Sequence, residues 1–361
     1  MLSLLFWTER SERVYFGLFA SSTAMSQTPA RSGRPAYDSR LLRRIFDRRA
    51  AAFGEVAFLP REIAQRMRER LDYIKIRPTS VLDAGCGTGE DLPALRARFP
   101  EAPTFGADLS HAMLSRALSQ AAGDTNWRRL LPAPLQRALG APGPRIAQAD
   151  FAALPFAAGA FDFIWSNLAL HWHPRPDLVF PEWQRVLKAG GLLMFSTLGP
   201  DTLRELRGAY AEIEAAHGVA SRPHVIDFVD MHDLGDMLVE SGFEIPVMDQ
   251  ETLTITYRSP ESLLADVRRW GAYPFAQTEA FAHDGTAGGS SASKSGGLAG
   301  APARRLHAAL SSALEARRRE DGAIALTFEV IYGHAWKAVP RKTAEGHGIV
   351  RIEDIGRRRP G

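Results

Sequence analysis

Cysteine is nearly absent from this chain of 361 residues, which contains only Cys86. A single cysteine cannot form an internal disulfide, and no cysteines or histidines are paired at the spacing of a metal site. Long apolar runs are also missing, because charged residues at positions 9–13 interrupt the apolar start of the chain too early for a signal peptide or a membrane span. We therefore expect no metal, no membrane partner and a reducing, cytoplasmic setting.

The chain also lacks a large excess of charge of one sign, since 24% of its residues are charged but the net charge is only +3. That balance argues against a nucleic acid as the main partner. A hydrophobic content of 45% allows a full core in one large domain or two. We expect three segments to lie outside that core: a disordered extension over 1–36, a flexible linker over 283–302 and a flexible tail over 339–361.

A glycine-rich stretch after an apolar strand is the most informative feature of the sequence. The strand ends at Asp83, and Gly85, Gly87 and Gly89 follow directly before a helical pattern. A strand, a glycine turn and a helix in this order place free backbone N–H groups and a helix N-terminus against a ligand. A structural turn without a ligand is the alternative interpretation.

The residues around the glycines indicate which ligand is bound. A dinucleotide fingerprint requires a third glycine where this chain has Glu90, and a carboxylate there would repel a pyrophosphate. Asp108 ends the next strand, 108 − 83 = 25 residues after Asp83, where a carboxylate of a βαβ unit reaches the ribose hydroxyls of an adenosine ligand. This combination resembles the class I S-adenosylmethionine (SAM) methyltransferases. The resemblance implies that Asp83 and the Gly85 backbone bind the methionine moiety and that Asp108 binds the ribose. Gly87, Gly89 and Leu109 are also expected to bind the cofactor.

Three further strands, over 145–149, 161–167 and 192–197, alternate with helical patterns and predict an α/β fold with a doubly wound parallel sheet. Asp150 and Phe151 end the first of these strands, where the resembled family contacts the adenine; Asp150 could instead cap the following turn. Asn167 ends the fourth strand of the series, and we expect it to face the cofactor cleft.

The resemblance implies a Rossmann-like, seven-stranded methyltransferase sheet with an N-terminal helical cap and a helical lid inserted before the last strand. We expect the methyltransferase domain to span 37–338. The elements expected outside the parallel strands are cap helices over 40–52 and 58–73, a short helix over 127–139, a helix capped near Asp201 and ending near 216, a helix over 233–241, strands over 250–257 and 323–336, and a lid over about 200–247 and 258–320.

Some residues could contact the methyl acceptor. His171 and Trp172 follow the fourth strand at the mouth of the cleft, where a histidine beside a tryptophan more often serves packing than binding. We nevertheless expect them to line the substrate site, and we expect Arg204 or Arg207 to hold an anionic substrate. The arginine run over 40–49 is either a solvated helix face or a docking face for an acidic partner.

Several motifs narrow the family. Those resembling the malonyl-carrier-protein O-methyltransferases of biotin synthesis are Phe46–Ala51, Trp165–Ala169, Phe195–Gly199 and Leu326–Phe328. Those resembling the mitochondrial complex I assembly factors, which are associated with hydroxylating an arginine of a partner protein, are Asp201–Arg207, Asp233–Gly235 and Ile331–Lys337. One departure from the first family is Phe53, where many members have a tyrosine.

The first resemblance implies a SAM-dependent carboxyl O-methyltransferase that acts, as a monomer, on malonyl-loaded acyl-carrier protein. A protein-modifying assembly factor and a noncatalytic SAM-binding regulator are the alternatives.

Overall fold

The computed structural model describes residues 39–124, 145–218, 224–270 and 303–339. Within these ranges seven strands form one sheet in the order β3-β2-β1-β4-β5-β7-β6. The strands are β1 (Val81–Ala84), β2 (Thr104–Asp108), β3 (Arg145–Gln148), β4 (Phe161–Ser166), β5 (Leu187–Leu198), β6 (Phe243–Tyr257) and β7 (Ile324–Lys337). The expected short helix over 127–139, the linker over 283–302 and the extension over 1–36 lie outside the described residues, as does the expected tail after 339.

The described helices are α1 (Ser39–Arg49), α2 (Phe53–Val56), α3 (Phe58–Leu71), α4 (Leu92–Arg98), α5 (His111–Asp124), α6 (Pro176–Val186), α7 (Arg204–Ala216), α8 (Met231–Glu240), α9 (Pro260–Trp270) and α10 (Ala303–Glu315). A short 3₁₀ turn, Leu170–Trp172, follows β4. In the part of the chain that the structure describes, no helix is both long enough and apolar enough to cross a membrane.

The sheet confirms the predicted fold class. The neighbours β3, β2, β1, β4 and β5 pair in parallel, whereas β7 runs antiparallel between β5 and β6. The strand order reverses between β1 and β4, so the loops that follow these two strands diverge and leave a crevice at the carboxyl edge of the sheet. That crevice is where the glycine turn lies.

The core lies on both faces of the sheet because the central strands are apolar almost throughout. Trp165 and Phe163 of β4 point to one face, where the cap helices α1 and α3 pack together with α7, α9 and α10. Ile164 points to the other face, which α6 and α8 cover. Strands buried on both faces read as continuous apolar runs, which is why β1 and β4 are recognisable in the sequence.

One helix of the expected lid, α8, covers the opposite face of the sheet. We expected residues 200–247 to lie over the active site, but Leu234 and Leu238 of α8 are buried in the cluster on the opposite face of the sheet. The helices that share a face with the cap are α7, α9 and α10, and we call these three the lid. The hydrophobic stripe of α8 predicts a buried helix but not the face of the sheet on which it packs.

Other differences concern element boundaries. The helix expected to be capped near Asp201 begins at Arg204, after Leu203 in a left-handed conformation with φ 60°. The N–H group of Asp201 instead donates to Glu329 Oε2 at 2.7 Å. The strand expected from 192 begins at Leu187, with an irregularity in its pairing with β4.

Candidate active site

The glycine turn after β1 is shaped by left-handed backbone conformations. Gly85, Gly87 and Gly89 have φ values of 85°, 51° and 77°, which residues other than glycine rarely adopt. Space is restricted too, because a Cβ atom on Gly85 would lie 2.3 Å from the Cβ of Ala169. At Gly89 it would lie 2.9 Å from the Cβ of Ala117 in α5. The glycines therefore serve a tight turn and close packing of the elements around it.

Asp108, at the end of β2, is held by backbone N–H groups. Gly87 donates to its Oδ2 at 2.9 Å and Ser110 donates to its Oδ1 at 2.8 Å. Burial raises the pKa of Asp108 to about 6, against the lowering effect of these two hydrogen bonds. Each oxygen retains a lone pair, so the carboxylate can accept two hydrogen bonds from hydroxyl groups of a ligand.

Asp83, at the end of β1, is only 2% exposed, and no donor among the described residues hydrogen-bonds to it. Its pKa is raised well above the usual value, first by burial and then by the neighbouring carboxylates of Asp91 and Asp108. A buried carboxylate without a donor is costly unless a ligand supplies one. A ligand with an ammonium group would satisfy it.

Asp150 and Phe151 follow β3, as expected. Oδ1 of Asp150 accepts the N–H of Ala152 at 2.9 Å, so the capping interpretation is correct for one oxygen. Phe151 packs edge-on against Trp183, with the ring centroids 5.9 Å apart. Asp150 and Phe151 also line the cleft at this edge of the sheet, and the second oxygen of Asp150 can accept a hydrogen bond from an amine.

Asn167 lies at the cleft, but its side chain is engaged by the protein. Its amide N–H group donates to the carbonyl of Pro60 at 2.9 Å and to Oδ2 of Asp91 at 3.1 Å. Its oxygen accepts the Ser196 hydroxyl at 2.8 Å. Trp165 Nε1 donates to the same Asp91 oxygen at 3.0 Å. Asn167 therefore joins the first turn of α3 to the sheet.

A cleft that is partly open to solvent lies over these residues, and its empty space, counted together with the solvent at its mouth, is about 1200 Å³. Its walls come from the glycine turn, the ends of β2, β3, β4 and β5, the cap, α5, α9 and β7. The lining residues are Leu42, Phe46, Phe53, Leu59, Pro60, Asp83, Gly85, Cys86, Gly87, Thr88, Glu90, Asp91, Asp108, Leu109, Met113, Asp150, Phe151, Asn167, Leu168, Ala169, His171, Trp172, Leu198, Trp270 and Phe328. All the expected cofactor residues except Gly89 are among them.

His171 and Trp172 also line the cleft, on the 3₁₀ turn after β4. Burial lowers the pKa of His171 to about 3, so its imidazole is neutral at physiological pH. Its ring meets Phe228 at 5.9 Å, and Trp172 meets Phe46 edge-on at 4.8 Å. His171 and Trp172 therefore both pack against aromatic neighbours and line the cleft.

Arg204 and Arg207 do not line the cleft, contrary to the expectation that one of them holds the substrate. Arg204 is exposed and lies near the carboxylates of Asp201 and Glu205, at 3.9 and 3.4 Å. Arg207 donates to the carbonyls of Pro200 and Ile226. Arg204 thus pairs with neighbouring carboxylates and Arg207 with backbone carbonyls.

The sequence did not reveal the cap and lid side chains of the cleft. Leu42 and Phe46 come from α1, Trp270 ends α9, and Phe328 lies in β7. Each belongs to an apolar stripe whose pattern indicates burial and nothing more. Glu90 was noticed as a departure from the dinucleotide fingerprint; here it lines the cleft and pairs with Arg61 of α3, Nε to Oε2, at 2.9 Å.

Comparison with known proteins agrees with this geometry. Residues 82–195 match a family model described as a methyltransferase domain. The malonyl-[acyl-carrier protein] O-methyltransferase of Laribacter hongkongensis is 42% identical over 87% of this chain and 96% of its own length. That of Gallionella capsiferriformans is 41% identical over 87% of this chain and 96% of its own. This chain belongs to the malonyl-[acyl-carrier protein] O-methyltransferase family. It is a SAM-dependent methyltransferase.

The described residues of this methyltransferase fit SAM. Asp83 lacks a donor that the methionine ammonium would supply, and Asp108 has two lone pairs for the ribose hydroxyls. Gly85 lines the cleft without a Cβ atom, and its N–H group donates to the carbonyl of Ala107 at 2.8 Å. Asp150 and Phe151 offer a carboxylate oxygen and a ring for the adenine.

Proposed function

We propose that this methyltransferase esterifies the free carboxylate of a malonyl group carried on an acyl-carrier protein, as a step in biotin synthesis. The relatives from Laribacter hongkongensis and Gallionella capsiferriformans, both malonyl-[acyl-carrier protein] O-methyltransferases, support this acceptor. The observation that carries the proposal is the composition of the cleft wall. The wall provided by cap, lid and β7 is largely aromatic, and no lysine or arginine lines the cleft within the described ranges.

An ionised acceptor suits such a wall because it needs no base. A malonyl carboxylate has a pKa of about 4 and is already a nucleophile at neutral pH. His171 stays neutral, so it neither takes a proton from the acceptor nor repels SAM. SAM supplies, when bound, a reactive methyl group on a positively charged sulfonium. The residues of the chain have to align the acceptor with that group.

Exclusion of water is the second contribution of the wall. Phe46, Phe53, Trp172, Trp270 and Phe328 present rings to the cleft. A carboxylate that leaves water for this environment is attracted more strongly to a nearby cation, because the effective dielectric constant is lower. Esterification removes the negative charge and with it this attraction, which favours release of the neutral product.

The outer side of α1 supports an acidic carrier as partner. Arg43, Arg44 and Arg48 are exposed, and none of them forms an ion pair with a described carboxylate. Leu42 and Phe46 of the same helix line the cleft. An acidic protein attracted to these arginines would therefore dock beside the entrance.

Mass spectrometry of the carrier tests the proposal. Protein, SAM and malonyl-loaded carrier should yield a carrier heavier by one CH2 group, about 14 daltons. An acetyl-loaded carrier has no free carboxylate and should gain nothing. The protein should also restore biotin-free growth to bacteria that lack their own enzyme. Absence of both results, with protein that binds SAM, would refute the proposal. A gain of about 16 daltons on an arginine of a partner protein would favour the assembly-factor alternative.

The docking face has its own matched control. Arg44→Glu should raise KM for the malonyl-loaded carrier several-fold and leave kcat nearly unchanged, because steering acts on the encounter. Arg77→Glu makes the same charge change at an exposed residue before β1, at the opposite edge of the sheet. We expect it to leave KM unchanged. Equal effects of the two variants, or an effect of Arg44→Glu that persists in high salt, would exclude this docking face.

A further inference from the structure

Asp47 of α1 contacts the start of α5, a helix far away in the sequence. Oδ1 of Asp47 accepts the hydroxyl of Ser110 at 2.6 Å and the backbone N–H of Ala112 at 3.1 Å. Ser110 is fully buried and is the N-cap of α5, since its Oγ accepts the N–H of Met113 at 3.2 Å. A carboxylate from the cap thus satisfies a free N–H group in the first turn of α5, where a negative charge is favourable.

Ser110 links this contact to the cofactor. Its N–H donates to Oδ1 of Asp108 at 2.8 Å, and the N–H of Gly87 holds the other oxygen. The direction of the Asp108 carboxylate, and so of the lone pairs left for a ribose, depends on the position of Ser110. That position is fixed from outside by Asp47.

The same helix forms a wall of the cleft. Leu42 and Phe46 line it, and Phe46 packs edge-on against Trp172 at 4.8 Å. Asp47 therefore lies at the turn of α1 where the wall above the cofactor meets the binding site for the ribose. The Arg61–Glu90 pair also joins the cap to the glycine turn, but Arg61 is 54% exposed, and exposed ion pairs contribute little.

We propose that Asp47 is a positioning residue for the cofactor, which holds Ser110 and Asp108 in place and couples closure of the cap to retention of SAM. It does not touch the cofactor and takes no part in methyl transfer. The proposal rests on the SAM site and is independent of the identity of the acceptor.

Dissociation of S-adenosylhomocysteine, followed by stopped-flow fluorescence on the full chain, tests this role. Asp47→Ala removes two hydrogen bonds to a charged acceptor, and we expect dissociation to become about 10- to 100-fold faster. KM for SAM should rise with little change in kcat. Asp47→Asn keeps an acceptor oxygen and should restore retention to within about threefold of the wild type. In hydrogen exchange, the ligand should protect α1 in the wild type but no longer in Asp47→Ala.

The control is Asp162→Ala. Asp162 at the start of β4 also holds distant groups, the Thr79 N–H at 2.9 Å and Lys188 Nζ at 2.8 Å, but at the opposite edge of the sheet. It should lower stability without changing dissociation. Equal acceleration by both variants, or unchanged dissociation in Asp47→Ala, would overturn the proposal. If Asp47→Ala does not fold, Ser110→Ala serves as the test, because it removes the hydroxyl that Asp47 holds: dissociation should become faster, and unchanged dissociation would be contrary evidence.

Discussion

The pH dependence of cofactor binding is the sharpest consequence of the buried acids. The free protein holds Asp108 with a pKa raised to about 6, whereas a ribose that donates two hydroxyls requires the ionised form. Affinity should therefore be nearly complete at pH 7 and fall as the pH drops through about 6. If only the ionised form binds, the Kd at pH 5 should be about tenfold that at pH 7, equivalent to about 1.4 kcal/mol.

Calorimetry with S-adenosylhomocysteine between pH 5 and 7 measures this dependence without turnover. Over this range the amino group of the ligand stays protonated, so its own titration does not interfere. The groups that face Asp108 are Asp47 of α1, Asp83 of β1 and the thiol of Cys86. Asp83 is the one whose titration could overlap, since its pKa is also raised.

Asp108→Asn separates these contributions. The variant loses a charged acceptor and turns one donor towards the N–H group of Gly87 or Ser110, so we expect affinity at pH 7 to fall about 10- to 100-fold. The remaining affinity of the variant should not fall below pH 6, whereas that of the wild type does. A wild-type Kd that is flat from pH 5 to 7, or an Asn variant that keeps the full dependence, would refute the assignment of this titration to Asp108.

Three further predictions concern the cofactor and acceptor sites. The ammonium of SAM should lower the raised pKa of Asp83, so binding should release a proton from this carboxyl in the pH range where the free protein holds it protonated; the buffer dependence of the binding enthalpy measures the release, and Asp83→Asn should remove it. Gly85→Ala should abolish SAM binding in calorimetry, and adding Ala169→Gly should recover only part of it, because the clash is relieved but the left-handed backbone strain is not. Arg204→Ala should leave the KM for the acceptor within about twofold of the wild-type value in steady-state assays, because an exposed residue outside the cleft contributes little to binding. A tenfold rise in KM would show that Arg204 binds the substrate after all.

The local elements and the cofactor side of the cleft could be read from the sequence. β1, β2 and β4 are short apolar runs bounded by turns, and the acids and glycines that end them follow directly in the chain. The glycine turn, Asp83, Asp108 and Asp150 were predictable because a parallel sheet brings the carboxyl ends of its strands to one edge. The N-cap of α5 at Ser110 was predictable from residue type alone.

The acceptor side was decided by tertiary packing. The apolar stripes of α1, α8 and α9 predict buried helices, yet Phe46 and Trp270 reach the cleft while Leu234 covers the far face of the sheet. Arg207 follows soon after a strand that ends at the cleft, but its guanidinium donates to the backbone carbonyls of Pro200 and Ile226. Contacts such as Asp47 with Ser110 join residues from distant helices, and periodicity carries no information on which helices meet. Periodicity records which face of an element is buried, whereas the partner of that face depends on how the whole chain packs.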